Sequence, residues 1–192
     1  MEQDELLRKL GKVLAKLRIP YLITGGIAVV AWGRPRFTAD IDVVIELLPK
    51  NLEQLAKELE AIDNDVYVDR NMMSRALTTQ GEFNFIHPSS GLKVDFWILT
   101  NEKFDRERMR RRIKRKIAGI PLFFSSPEDL ILIKLRWHKE SGSEQQLRDV
   151  ESIIKIQKKL DWRYLAKWSK KQRTVRILKE LKAQSKRTRS DR

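Results

Sequence analysis

Hydrophobic residues recur every three or four positions at the start of the chain: Leu6, Leu7, Leu10, Val13, Leu14 and Leu17. That spacing predicts an amphipathic helix over residues 1–17, which Pro20 closes. Tyr21-Leu22-Ile23-Thr24 then reads as a short strand, Gly25-Gly26 as a turn, and residues 27–32 as a short helix stopped by Gly33 and Pro35. Residues 41–48 are apolar apart from Asp42 and Glu46, which suits a strand buried on both faces. Asn51 stands where it can cap a helix carrying Leu52, Leu55, Ala56 and Leu59. Residues 66–68 and 81–86 read as further short strands, and residues 92–99 as a strand with one acid, Asp95, in its middle. Residues 110–117 and 121–124 predict a hairpin around Ala118-Gly119.

Helical signals dominate from there on. Ser126-Pro127-Glu128-Asp129 joins a capping serine, a first-turn proline and two acids at the positive end of a helix that runs to about His138. Ser143 with Gln146 has the spacing of a capping box and opens a helix through Leu160, and Asp161 can cap another. From about Lys182 the tail is basic and is expected to fray. There is no internal repeat. Strands and helices alternate first and helices follow, so the expected fold class is α+β, a mixed sheet flanked by helices over residues 1–125 and a C-terminal helical region over 126–192.

Composition narrows the field. The 192 residues are 41% hydrophobic, enough for one core or one core with a helical appendage. With no cysteine, disulfides, cysteine metal sites and cysteine nucleophiles are excluded. His87 and His138 lie far apart and form no ligand motif; His87-Pro88 reads as a loop without a role. Residues 1–17 are too charged for a signal peptide and no apolar run could cross a bilayer, so a cytoplasmic protein is expected. Charge is uneven: residues 1–100 hold 12 Lys/Arg against 14 Asp/Glu, and residues 101–192 hold 28 against 12. A basic back half points to a polyanionic partner, although a solvated surface would also account for it.

The candidate chemistry is carboxylate chemistry. Asp40 and Asp42 are two apart at the mouth of a strand and therefore share a face. Side by side they repel, and a cation between them relieves that; magnesium accepts one or two carboxylates and takes further oxygens from phosphates. Asp95 joins them if its strand is a neighbour, and three carboxylates can hold two metals that clamp an in-line displacement at phosphorus. A plain turn or surface pair, with Asp95 bridged to Lys93 or an arginine, is the alternative. Upstream, Gly25-Gly26 followed by a helix lets backbone approach a phosphate closely. No Walker loop or dinucleotide fingerprint is present.

Gly25-Gly26, then Gly33-x-x-Arg36-x-Thr38-x-Asp40-Ile41-Asp42, then Val94-Asp95-Phe96 resemble the signature of the polymerase-β-like nucleotidyltransferase superfamily, nearest its small prokaryotic AbiEii-toxin-like branch. Ser126 to Lys134 and Arg148-Asp149 resemble that group's downstream motifs, so the likeness spans about residues 20–155. It implies a nucleotidyltransferase-like fold and transfer of a nucleoside monophosphate from an NTP to an acceptor hydroxyl. It also implies two Mg2+ ions, or Mn2+, on Asp40, Asp42 and Asp95. Gly25 and Gly26 would line the triphosphate, Arg36, Thr38 and Lys134 would meet the nucleotide, and Asp149 would be a further site residue. An RNA acceptor of tRNA kind, and an antitoxin partner, follow from the same likeness. Gly26 departs from it, because many members carry a phosphate-contacting serine there. A nucleic-acid- or nucleotide-binding module that has lost catalysis is the other reading.

Lys134 shares a helix face with Leu130, Ile131 and Trp137, so it needs an anion or must reach to water. Arg34 and Arg36 flank the site loop, and either could grip a phosphate or pair with an acid. Residues 106–116 hold eight cations and one acid, which on a strand or sheet edge could track a phosphate backbone or block aggregation. Lys182, Lys186, Arg187, Arg189 and Arg192 could serve as a flexible arm. Trp137, Trp162, Tyr164 and Trp168 have the aromatic character to stack on bases, but their near-helical spacing favours core packing.

Overall fold

The computed structural model describes residues 1–117 and 119–190, with side chains to Ser185. The chain forms two compact units. Met1–Ile27 with Phe37–Ser125 makes the first, and Ala28–Arg36 with the chain from Ser126 makes the second.

In the first unit a seven-stranded mixed sheet has the order β3-β4-β5-β2-β1-β7-β6. Its strands are β1 Tyr21–Ile23, β2 Asp40–Ile45, β3 Tyr67–Val68, β4 Glu82–His87, β5 Leu92–Ile98, β6 Ile113–Ile117 and β7 Ile120–Phe124. β2 runs parallel to β5 and antiparallel to β1, and β4 runs antiparallel to β5. Period-two burial sets the faces. Ile41, Val43, Val94, Phe96, Phe83 and Phe85 are buried on one side, where Phe83 and Phe96 stack at 4.9 Å. α1 (Gln3–Lys16) packs on β7 and on α3 (Leu52–Glu60), through the leucine stripe that the spacing predicts. Pro20 does not itself end α1; Arg18, at φ 52, turns the chain after Leu17.

The other face is split. Val44 and Leu22 pair across β2 and β1 and are roofed by Leu99 and by Met109 of α5 (Lys103–Arg111). The mouth of β2, with Asp40 and Asp42, carries polar side chains. β2 is therefore apolar on both faces only toward its end, and it stops at Ile45, short of Leu48.

Two helices of this unit have no counterpart in the sequence expectations. α4 (Arg70–Thr79) carries only a short apolar stripe, with Met73 and Ala76 buried, and Asp69 caps it by accepting from the Asn71 and Met72 amides. α5 takes in the front of the basic run expected on a strand; only Ile113–Ile117 is strand, and it is an edge of the sheet. Asn51 makes no side-chain cap. The turn expected at Ala118-Gly119 has Ala118 outside the described residues. His87 ends β4 instead of lying in a loop; it is buried with Nδ1 2.8 Å from Ser90 Oγ.

α2 (Gly25–Trp32) starts in the first unit and ends in the second, so Gly25-Gly26 open a helix. The second unit is otherwise helical: α6 (Pro127–Ser141), α7 (Glu144–Ile156), α8 (Trp162–Lys171) and α9 (Val175–Ser190). The start of α6 forms as expected. The Asp129 amide donates to Ser126 Oγ at 3.1 Å, while the Ser126 hydroxyl donates to Asp129 Oδ2 at 2.6 Å. The box expected at Ser143 and Gln146 does not, because Gln146 accepts from Lys134 instead. α7 ends at Ile156, not Leu160. The tail from Lys182 is helical to Ser190; the Lys186, Arg187, Arg189 and Arg192 side chains lie outside the described residues. Trp168 is buried, and the Tyr164 hydroxyl donates to Asp129 at 2.6 Å, so both serve packing. Among the described residues no helix is long and apolar enough to cross a membrane.

Candidate active site

The parallel register of β2 and β5 sets Asp42 directly beside Asp95 and Asp40 beside Lys93. Partners in neighbouring strands share a face, so Asp40, Asp42, Lys93 and Asp95 all stand on the polar face. Asn84 of β4 lies opposite Asp95 on the other flank and donates its amide to Asp95 Oδ1. One row thus crosses three strands as Asn84, Asp95 and Asp42. The alternation that buries Phe83 and Phe85 leaves Asn84 on this face, the only sequence signal for it.

A lysine ammonium lies among these carboxylates. Lys93 Nζ is 3.0 Å from Asp95 Oδ2 and 3.9 Å from Asp40 Oδ1. The hydrogen bond to Asp95 holds the Lys93 pKa above its ordinary value; partial burial opposes this, and the Asp95, Asp40 and Glu82 charges reinforce it. As they stand, no three or more His, Cys, Asp or Glu side chains among the described residues gather closely enough to hold a metal ion. The three aspartates share one face, and Asp40 and Asp95 share one cation, without the three closing on a single point.

Both glycines, now the first residues of α2, are approached closely by side chains. Gly25 has φ +57, and a Cβ there would lie 1.7 Å from Asp42 Oδ2. The Asp42 carboxylate therefore rests against bare backbone. A Cβ on Gly26 would meet Thr38 Oγ1 at 2.3 Å. A serine at this position, which the resemblance leads one to expect, would clash unless Thr38 moved. Thr38 is held from the side by Gln3, which donates to its carbonyl at 2.9 Å.

The remaining predicted residues meet in the second unit. Arg36 forks onto Asp149, Nε to Oδ1 at 2.9 Å and an Nη to Oδ2 at 3.0 Å. Lys134, 1% exposed, reaches Asp149 Oδ2 at 2.7 Å and Gln146 Oε1 at 2.9 Å. Gln145 adds a bond to Asp149 Oδ1 at 2.8 Å. Burial alone would raise the Asp149 pKa, but hydrogen bonds from Arg36 and Lys134, the Lys134 charge and Gln145 outweigh it and hold the carboxyl below its ordinary value. Lys134 thus has its anion inside the protein and does not snorkel.

The comparisons agree with this architecture. A family model described as nucleotidyltransferase of unknown function (DUF6036) matches residues 1–190. No curated protein matches the sequence. Among solved structures, an antigenic nucleotidyltransferase-like protein from Paracoccidioides brasiliensis has a TM-score of 0.58 at 19% identity, over 97% of this chain and 94% of that one. The lincosamide antibiotic adenylyltransferase LnuA, lincomycin-bound, gives 0.54 at 14% identity, over 82% and 99%. ANT(2")-Ia in complex with adenylyl-2"-tobramycin gives 0.53 at 16%, over 98% of each. At these identities the shared property is the fold. The family model spans both units and their motifs alike: the chain belongs to the DUF6036 family of nucleotidyltransferases of unknown function.

Proposed function

We propose that this chain is a divalent-metal-dependent nucleotidyltransferase that moves a nucleoside monophosphate from an NTP to a hydroxyl of an RNA acceptor, tRNA-like in kind. The observation that carries the reading is the strand register that sets Asp42 beside Asp95, against a glycine whose missing side chain leaves room for the carboxylate. The donor set suits a hard cation, since it consists of carboxylate oxygens that already attract the Lys93 ammonium. Asp40, Asp42 and Asp95 would hold one or two Mg2+ or Mn2+ ions once Lys93 leaves Asp95. Bound there, the metal neutralises triphosphate charge and acidifies the attacking hydroxyl.

The chain's own groups do the rest. Gly25 and Gly26 bring backbone against the triphosphate, with the free N–H groups of α2 ahead of it. Thr38 and Arg36 stand on the segment leading to Asp40, and Asp149 with Lys134 acts one step back by holding Arg36. The acceptor oxygen bonds to the α-phosphorus as the bond from that phosphorus to the bridging oxygen breaks. Pyrophosphate leaves with the electron pair, and Asp95 receives the hydroxyl proton.

The acceptor is assigned to RNA because residues 101–192 carry 28 cations against 12 acids. A small-molecule hydroxyl is the second reading, since one protein of this fold is named a lincosamide antibiotic adenylyltransferase and another is seen in complex with adenylyl-2"-tobramycin. The biological setting we favour is a toxin held by an antitoxin protein, on the likeness of the Gly-Gly and Asp-x-Asp segments to the AbiEii-like branch.

Labelled NTPs with Mg2+, bulk RNA and, separately, an aminoglycoside test this. The α-label is expected to pass to RNA while γ-label is released, with Asp42→Ala slower by at least about 100-fold. No transfer by the native chain, or equal transfer by Asp42→Ala, contradicts it. Salt-sensitive RNA binding that survived in such an inactive chain would mark a binding module.

A further inference from the structure

The second unit holds a cavity of about 240 Å³, framed by Arg34 and Arg36 on one side and by Arg148, Ser152 and Lys155 of α7 on the other. Its charge does not balance. The two acids in its wall, Asp149 and Glu151, already have cations: Asp149 takes Arg36 and Lys134, and Glu151 takes Lys155 at 2.6 Å. Those pairs use three cations for two acids. Arg34 and Arg148 are additional. Arg148 gives its guanidinium to the neutral Gln145 amide oxygen at 2.9 Å, and among the described residues neither Arg34 nor Arg148 meets a carboxylate.

The two arginines are presented from firm ground. A Cβ on Gly33 would lie 2.4 Å from Ser152 Oγ, so the backbone beside Arg34 comes close against α7. The Arg34 amide donates to the same Ser152 Oγ at 3.3 Å. Arg36 is fixed by its fork on Asp149, a carboxylate 2% exposed. The choice left open by the sequence, which of Arg34 and Arg36 meets an acid and which a phosphate, resolves by geometry: Arg36 has the acid. Guanidinium forks stay charged and match pairs of phosphate oxygens.

We propose that this cavity binds backbone phosphate of the acceptor RNA, gripped by Arg34 and Arg148 with Lys155 behind them, through no residue of the carboxylate row. It rests on the RNA-acceptor reading given above. An RNA strand is favoured over a free nucleotide because both arginines are exposed, open to a chain that passes across them.

The experiment is fluorescence anisotropy of a labelled single-stranded oligoribonucleotide with the full chain, over a salt series. Arg34→Ser/Arg148→Ser is expected to bind at least 10-fold more weakly at low salt, with an unchanged melting temperature. The slope of log K against log salt should fall by about 1.4, two contacts at ~0.7 each for a single strand. Asp40→Asn/Asp42→Asn/Asp95→Asn should keep native RNA affinity, so loss of transfer and loss of docking are read separately. Native affinity and slope in the arginine variant overturn the proposal. So does loss of ATP binding in that variant with RNA binding intact, which assigns the cavity to a nucleotide.

Discussion

Gly25 shows what a single residue contributes. Its φ of +57 lies in the left-handed region, and the space where its side chain would be holds the Asp42 carboxylate. Gly25→Ala therefore combines about 1–2 kcal/mol of backbone strain with displacement of the acid. The expected outcome is a chain that folds, melts a few degrees lower, and transfers label about 100-fold more slowly, since misplacement near 1 Å costs that much. Melting curves and initial rates check it, and an unchanged rate would show that the carboxylate position is immaterial. The glycine pair and the Asp-x-Asp could be read from spacing alone. That Gly25 is a seat for Asp42 could not, because the clash depends on strand geometry that no spacing encodes. Asn84 stayed hidden for the same reason: its role comes from the strand beside it.

Among the elements, α6 and α7 are pinned by one buried carboxylate. Removing the charge with Asp149→Asn leaves Lys134 in the interior without a counter-ion, and should cost about 3 kcal/mol in urea unfolding at pH 7. Because the folded Asp149 pKa lies below the ordinary 3.8, the carboxylate's stabilisation is fully present above the unfolded value. It disappears as pH falls through the folded value. The gap between native chain and variant is thus expected to hold from pH 8 to 5 and to close below about 4; a gap that widens on acidification would contradict this. α6 was legible because cap, proline and acids agree at its start. α4 and α5 were not: one buries only Met73 and Ala76, and the other runs into a stretch of cations that reads equally as an exposed edge. The Ser143 box failed because Gln146, which fits it by spacing, is claimed by Lys134.

At the scale of the molecule, the alternation of strands and then helices was enough to give an α+β chain, and the motif spacing pointed to a nucleotidyltransferase, the description its family carries. The order of the sheet was not accessible. β2 and β5 are separated in sequence by the helices α3 and α4 and by the β3–β4 pair, yet they are parallel neighbours, and the whole functional reading hangs on that pairing. The segment Ala28–Arg36 belongs with the distant helices, which explains why a motif contiguous in sequence is divided between a carboxylate row and an arginine–aspartate pair. The most direct measurement is an anomalous difference map at the manganese edge, from crystals of the native chain with Mn2+ and a non-hydrolysable triphosphate. The prediction is metal peaks about 2.0–2.2 Å from oxygens of Asp40, Asp42 and Asp95, with Lys93 withdrawn from Asp95. Triphosphate bound with no metal at that row, and the Lys93–Asp95 pair still closed, would contradict it.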